Sequence, residues 1–89
     1  MTGVYLEVTY RDGRAWVAYL YLPRKNGEKS DHCRKMEPDV VLDINREGKL
    51  IGIDILAPQL VTLEGINTIL GEYGFEALEE SVLKPLLAA

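Results

Sequence analysis

A β-hairpin is the clearest structural signal in the chain, and it lies in residues 40–56, which read VVLDINREGKLIGIDIL. Two runs rich in branched apolar residues, 40–44 and 50–56, flank the sequence Arg-Glu-Gly at 46–48. Branched side chains favour strands, and a three-residue loop with glycine in the left-handed position joins strands through a type I turn and a bulge. The sequence therefore predicts a hairpin with Gly48 as its structural turn residue.

An earlier hairpin is predicted by residues 4–22. Residues 4–10 alternate with a period of two, and residues 15–22 are dense in aromatic and branched side chains. The loop Arg11-Asp12-Gly13 has the same form as the later one, so we expect the same turn, with Gly13 in the left-handed position. The alternative is a two-residue Asp12-Gly13 turn, which would shift the pairing by one residue and exchange the faces of the second strand. This loop sets the following register on the core face: Tyr10 opposite Arg14, Val8 opposite Trp16, Leu6 opposite Ala18 and Val4 opposite Leu20.

Helices are predicted after the hairpins, because the apolar period changes beyond Ala57-Pro58. Thr62 suits the N-cap of a helix that continues to Gly74. A second helix is expected from about residue 76 to residue 84, and Pro85 should end or kink it. Between the hairpins, residues 31–36 form at best a short edge strand.

These elements predict an α+β fold in a single domain over residues 1–89. Residues 1–57 should form an antiparallel β-meander of two hairpins with four to five strands. Residues 58–89 should form a tail of two short helices packed on it. Strands followed by helices are typical of this class.

The predicted registers leave more apolar surface than two short helices can cover. In the second hairpin, they place Leu42, Ile44, Leu50 and Leu56 on one face and Val41, Ile51, Ile53 and Ile55 on the other. In the first hairpin, the face away from the core carries Tyr5, Val17, Tyr19 and Tyr21. Monomers rarely expose such a patch. We therefore expect a homodimer with these last four residues at its interface. The alternative is that the helices cover this face and that the meander curls over the other one.

The composition limits the classes of function. The chain has 89 residues, a net charge of −4 and a single cysteine. Its longest apolar run, residues 15–22, is far shorter than the roughly 20 residues of a membrane helix, so we expect a cytoplasmic protein without a membrane partner. Basic residues concentrate in 11–35 and acidic residues from 36 onward. This distribution disfavours nucleic acid and suits a basic protein partner.

No catalytic, cofactor or metal site is predicted. Residues 30–33, Ser-Asp-His-Cys, hold the residue types of a nucleophilic site, but strand neighbours point to opposite faces. Asp43 and Asp54 match the ends of a calcium loop, but strand-forming flanks do not suit one. We therefore expect a non-enzymatic interaction module. The alternative is a small enzyme or a ligand or metal binder that uses the carboxylates near Asp43 and Asp54.

The second hairpin also resembles the signature of the YuzE-like small bacterial proteins, a family of unknown function (DUF2283). The family pattern is an aspartate, a turn, glycine, a basic residue, two apolar residues and Gly-Ile-acid-Ile-Leu, which here is Asp43 followed by Gly48-Lys49-Leu50-Ile51-Gly52-Ile53-Asp54-Ile55-Leu56. Upstream, Ala15 and Ala18-Tyr19-Leu20-Tyr21-Leu22 are similar to the family's alanine and leucine-tyrosine-isoleucine strand. The resemblance covers about residues 10–56. It implies a β-meander and an antitoxin-like role as the partner of a small basic protein.

Overall fold

The computed structural model describes residues 3–24 and 27–87, and its architecture is α+β. One antiparallel sheet is followed by a short 3-10 helix at Pro58–Leu60 and two helices, α1 (Leu63–Glu72) and α2 (Glu80–Leu87). The strands are β1 (Tyr5–Arg11), β2 (Arg14–Tyr21), β3 (His32–Met36), β4 (Val40–Ile44) and β5 (Leu50–Ile55). The predicted fold class is confirmed, whereas the predicted domain limits at residues 1 and 89 lie outside the described residues.

The strand order in the sheet is β1-β2-β5-β4-β3. The last three strands form a meander with β3 at the edge, as predicted for residues 31–36, and the first hairpin joins them through the β2–β5 pair. The central strand, β5, is also the most deeply buried one, and Leu50, Ile53 and Ile55 on it are fully buried. Its central position accounts for this burial, because a central strand has a neighbour on each side and exposes the least surface to water.

Both helices pack on the same face of the sheet. One cluster of buried side chains contains Leu20, Leu42 and Ile53 from the strands together with Leu70 and Leu83 from the helices. Burial of a leucine or isoleucine side chain contributes about 1.5–3 kcal/mol, so this cluster is the main source of stability. Neither helix in the described part of the chain has the length and apolar character that crossing a bilayer requires.

The first turn differs from the predicted three-residue loop. Arg11 pairs directly with Arg14, so that only Asp12 and Gly13 form the loop. Both residues have positive φ angles, 52° and 77°. Two successive residues in that region are typical of a type I′ turn, which matches the twist of a hairpin. The prediction that both hairpins use the same turn is therefore wrong.

A β-bulge at Trp16 completes the correction to the first hairpin. The register shifts between Thr9, which pairs with Val17, and Tyr10, which pairs with Ala15, and this leaves Trp16 without an opposite residue. The shorter turn moves the register by one residue and the bulge moves it by one more. Leu6 therefore lies opposite Leu20 and not Ala18. Because the total shift is two residues, the predicted faces remain correct although the predicted pairs are wrong.

The side chain of Trp16 does not lie on its predicted face. The predicted register placed it in the core opposite Val8, but its side chain is 51% exposed. Ala15 packs against the core instead. A bulge often redirects a side chain in this way, because it adds one residue to a strand that otherwise alternates.

The second turn has the predicted form. The Gly48 amide donates to the Asn45 carbonyl at 3.0 Å, and Gly48 has a φ of 84°. The buried Asn45 side chain accepts hydrogen bonds from the amides of Glu47 (2.9 Å) and Lys49 (2.8 Å). These bonds satisfy the polar groups of the loop and hold its shape.

The predicted faces of β5 are wrong because of a second bulge. Ile44 pairs with Leu50 and Asp43 pairs with Gly52, which leaves Ile51 as the extra residue. Beyond Ile51, the side chains of β5 therefore alternate between the two faces in the opposite order to the predicted one. Ile53 and Ile55 therefore join Leu50 on the core face, and Leu56, which was predicted on that face, is 47% exposed.

The first helix agrees with its predicted signals and the second does not. The Thr62 hydroxyl accepts a hydrogen bond from the Gly65 amide at 3.0 Å, and Gly74 follows α1 with a φ of 80°. The start of α2 is displaced because the Asn67 side chain binds both the amide (2.7 Å) and the carbonyl (3.3 Å) of Leu78.

Pro85 lies inside α2 and does not end it. Proline cannot donate the backbone hydrogen bond of its position. Leu83 and Leu86, three residues apart on either side of it, are both buried on the core. The helical spacing of these two leucines favours continuation of the helix through the proline.

Replacement of Gly13 or Gly48 with alanine should lower the free energy of unfolding by about 1 kcal/mol, because Cβ is strained at positive φ. Nothing lies within 4 Å of an added Cβ at either position, so these substitutions test only the backbone strain of a side chain at positive φ. Gly71 in α1 is the matched control, since Gly71→Ala should raise stability by about 0.5–1 kcal/mol. Urea unfolding of the three variants measures the difference. Equal stability of all three would contradict the turn geometry.

Candidate interaction surface

The face of the sheet opposite the helices, called here the open face, gathers most of the residues that the sequence singled out. Directly opposite residues on neighbouring strands share a face. One row across the sheet is Tyr5, Tyr21, Gly52, Asp43 and Cys33, and the next row is Glu7, Tyr19, Asp54, Val41 and Lys35. The predicted interface tyrosines and the alternative acidic residues Asp43 and Asp54 therefore lie together on this face. Val17, paired with Thr9, lies on the same face one row further on.

Tyr19 connects three strands. Its ring lies across Gly52 on β5, and its hydroxyl donates a 2.6 Å hydrogen bond to Asp43 Oδ2 on β4. A Cβ atom at position 52 would be 1.9 Å from Tyr19 Oη, so only glycine leaves room for the ring. Burial and the bond to Asp43 raise the pKa of Tyr19 well above its usual value. The hydroxyl therefore stays protonated and remains a donor.

Asp43 accepts a second hydrogen bond at its other oxygen. The Cys33 thiol donates to Asp43 Oδ1 at 3.2 Å, and this bond raises the pKa of the thiol. Each carboxylate oxygen of Asp43 thus holds one side chain in place.

Asp54 lies in a different environment from Asp43. Among residues 3–24 and 27–87, no side chain donates a hydrogen bond to its carboxylate. Partial burial, and then the nearby charge of Asp43, raise the pKa of Asp54. A partly buried carboxylate that receives no hydrogen bond is costly, so a positive charge from a partner would stabilise Asp54.

Two further tyrosines of the open face, Tyr5 and Tyr21, lie beside Tyr19. The rings of Tyr5 and Tyr21 are stacked with centroids 4.4 Å apart, and the rings of Tyr21 and Tyr19 are 4.6 Å apart. The Tyr21 hydroxyl donates to Glu7 Oε1 at 3.3 Å, and the Arg24 guanidinium lies 5.7 Å from the centroid of the Tyr21 ring. Stacked rings lose little side-chain freedom when they are covered, which makes this surface suitable for association.

The side chains of His32 and Cys33 contact different carboxylates. His32 Nδ1 lies 3.1 Å from Asp31 Oδ2 on the protein surface, while Cys33 turns to Asp43. The described residues contain no group of three histidine, cysteine, aspartate or glutamate side chains placed to hold a metal ion.

The sequence indicates part of the structural role of Gly52. A glycine inside an apolar strand predicts a bulge or a close approach, and both occur here. The sequence does not indicate that Tyr19 is the residue that approaches Gly52. Tyr19 pairs with Asp54, and it contacts Gly52 and Asp43 only because of the β2–β5 and β4–β5 registers.

Gly52→Ala should destabilise the fold by about 1–3 kcal/mol, because the new methyl group displaces the Tyr19 ring. The same substitution in a Tyr19→Ala background should cost much less, since the ring is gone. Urea unfolding of the four proteins in this cycle gives the coupling between the two positions. A penalty that is unchanged by removal of Tyr19 would show that the ring does not occupy the space above Gly52.

Comparison with known proteins identifies the family of the chain. No curated protein and no solved structure matches the chain. The family model described as a protein of unknown function (DUF2283) matches residues 12–57, just over half of the chain. The match begins in the first turn and includes β2 to β5, and therefore Tyr19, Gly52, Asp43 and Asp54. The chain belongs to the DUF2283 family of proteins of unknown function.

Proposed function

We propose that the chain is a non-enzymatic protein-interaction module that associates with a second copy of itself through the open face of its sheet. The observation that carries this proposal is the one-sided packing of α1 and α2. The opposite face presents tyrosine rings, Val17 and Leu56 without any described element over them. Exposed Tyr5 (57%) and Leu56 (47%) mark the area that association would cover.

Self-association suits the chemistry of this face. Tyrosine combines a large ring for burial with a hydroxyl that tolerates water at the edge of an interface. Hydrogen bonds from Tyr19 to Asp43 and from Tyr21 to Glu7 fix two of the three rings before any partner arrives. A two-fold axis is the usual symmetry for a soluble homo-oligomer built from one surface patch.

A basic protein is the competing occupant, as an antitoxin-like role would require. The carboxylates of Glu7 and Asp54 on the open face would attract its lysine and arginine side chains. A second copy is preferred because it covers the aromatic and apolar surface as well as the charges. The oligomeric state of the purified protein separates the two.

Val17→Lys should convert the dimer to a monomer, because the substitution places an uncompensated charge in the middle of the open face. Val17 is a better choice than Tyr19, whose contacts with Gly52 and Asp43 also support the sheet. Size-exclusion chromatography with light scattering measures the mass across a range of protein concentrations, and circular dichroism checks the fold.

Leu60→Lys is the matched control. Leu60 is 51% exposed and lies in the 3-10 helix that leads into α1, so its replacement should leave the dimer intact. A wild-type protein that remains monomeric at the highest concentration would contradict self-association and leave the face to a basic partner. Equal dissociation of both variants would contradict the assignment of the open face.

A further inference from the structure

The turn end of the first hairpin carries two arginines, Arg11 and Arg14, with Asp12 in the loop between them. Arg11 and Arg14 lie directly opposite each other across β1 and β2, an arrangement of like charges that destabilises a hairpin. No carboxylate in the described part of the chain forms an ion pair with either guanidinium. The Arg11 guanidinium lies 5.2 Å from the centroid of the Trp16 ring. We call these three residues the hairpin tip.

The hairpin tip faces the same side as the tyrosines. Arg11 follows Glu7 and Thr9 at a spacing of two, so it lies on the open face, and Arg14 shares that face as its direct partner. Trp16 lies on this side too, because Arg11 packs over its ring. The bulge therefore moves the only tryptophan of the chain out of the core and onto the open face, beside two arginines.

A cleft with the opposite charge lies further along the same hairpin. Glu7, Tyr19 and Asp54 are directly opposite one another across β1, β2 and β5. They line a cleft of about 320 Å³ together with Tyr21 and Leu56. Its carboxylates flank an aromatic ring, and no cation among residues 3–24 and 27–87 forms an ion pair with Asp54. We call this the acidic cleft.

Thr9 and Val17 also line the acidic cleft, and this pair lies between the hairpin tip and the row of Glu7 and Asp54. Glu7 precedes Thr9 by two residues and Arg11 follows it by two, a distance of about 7 Å along the strand in each direction. A two-fold axis that lies above the open face at this pair, parallel to the sheet and perpendicular to its strands, would therefore place the tip of one copy over the cleft of the other. The reverse contact would form at the same time, because the interface is isologous.

We propose that two copies pack open face to open face about this axis, with Arg11, Arg14 and Trp16 of each copy seated in the cleft between Glu7 and Asp54 of the other. The inference rests on the proposed homodimer and specifies how it forms. Arginine donates paired hydrogen bonds to carboxylates, and a covered tryptophan is a typical anchor of an interface. The like-charge pair at the tip and the unpaired Asp54 are both neutralised in this arrangement.

Charge reversal tests this arrangement. An acidic-tip variant carries Arg11→Glu and Arg14→Glu, and a basic-cleft variant carries Glu7→Lys and Asp54→Lys. Each variant alone should dimerise at least about 100-fold more weakly than the wild type, because like charges then meet at both contacts. An equimolar mixture should recover a heterodimer, since each tip again meets a cleft of opposite charge. Native mass spectrometry distinguishes the heterodimer from either homodimer by mass.

Two controls separate this pairing from general charge effects. Arg46→Glu with Lys49→Glu changes the tip of the second hairpin, and Glu79→Lys with Glu80→Lys changes the start of α2. Both should dimerise as the wild type does. Glu7→Lys alone replaces an exposed side chain and keeps the test valid if Asp54→Lys prevents folding. It should weaken the homodimer and restore association with the acidic-tip variant.

The outcomes distinguish this inference from the proposed function. Dimers that survive charge reversal at tip and cleft, but dissociate with Val17→Lys, would contradict the tip-to-cleft contact and leave the homodimer standing. Weakened single variants that fail to form the heterodimer would also contradict it. A wild-type monomer would overturn both proposals.

Discussion

The pairing of β2 with β5 joins the two hairpins into one sheet, and the Tyr19 side chain secures that junction. Its ring fills the space that Gly52 leaves on the central strand, and its hydroxyl donates a hydrogen bond to Asp43 of the next strand. Three strands are therefore connected by one side chain in addition to their backbone ladders. The tyrosine group, the position of Asp54 and the shape of the acidic cleft all depend on this contact.

The sequence predicted the kinds of elements well and their alignment less well. Periods of two and of 3.6 residues identify strands and helices because burial acts on every second residue of a strand and every third or fourth of a helix. Register depends instead on turn type and on bulges, which shift the alternation by one residue each. At Trp16 two such shifts cancelled in their effect on the faces, whereas at Ile51 a single shift reversed the assignment of Ile53 and Ile55.

The same difference between local patterns and strand pairing applies to the open face. The sequence placed Tyr5, Tyr19 and Tyr21 together because they share one parity on a single hairpin. It could not bring Asp43 and Asp54 to them, since that requires the β2–β5 pair, a contact between residues more than 30 positions apart. The end of α2 was missed for a related reason, because the burial of Leu86 on the core competes with the local preference of Pro85.

The hydrogen bond between Cys33 and Asp43 has a consequence for the chemical durability of the protein. Thiols react with oxidants and alkylating agents as thiolates, and a carboxylate that accepts the thiol proton opposes formation of that anion. The single sulfhydryl group of the chain is on the surface, yet it is held in its less reactive form. The same aspartate that positions Tyr19 thus also opposes formation of the Cys33 thiolate, the form that such reagents attack, on the edge strand of the sheet.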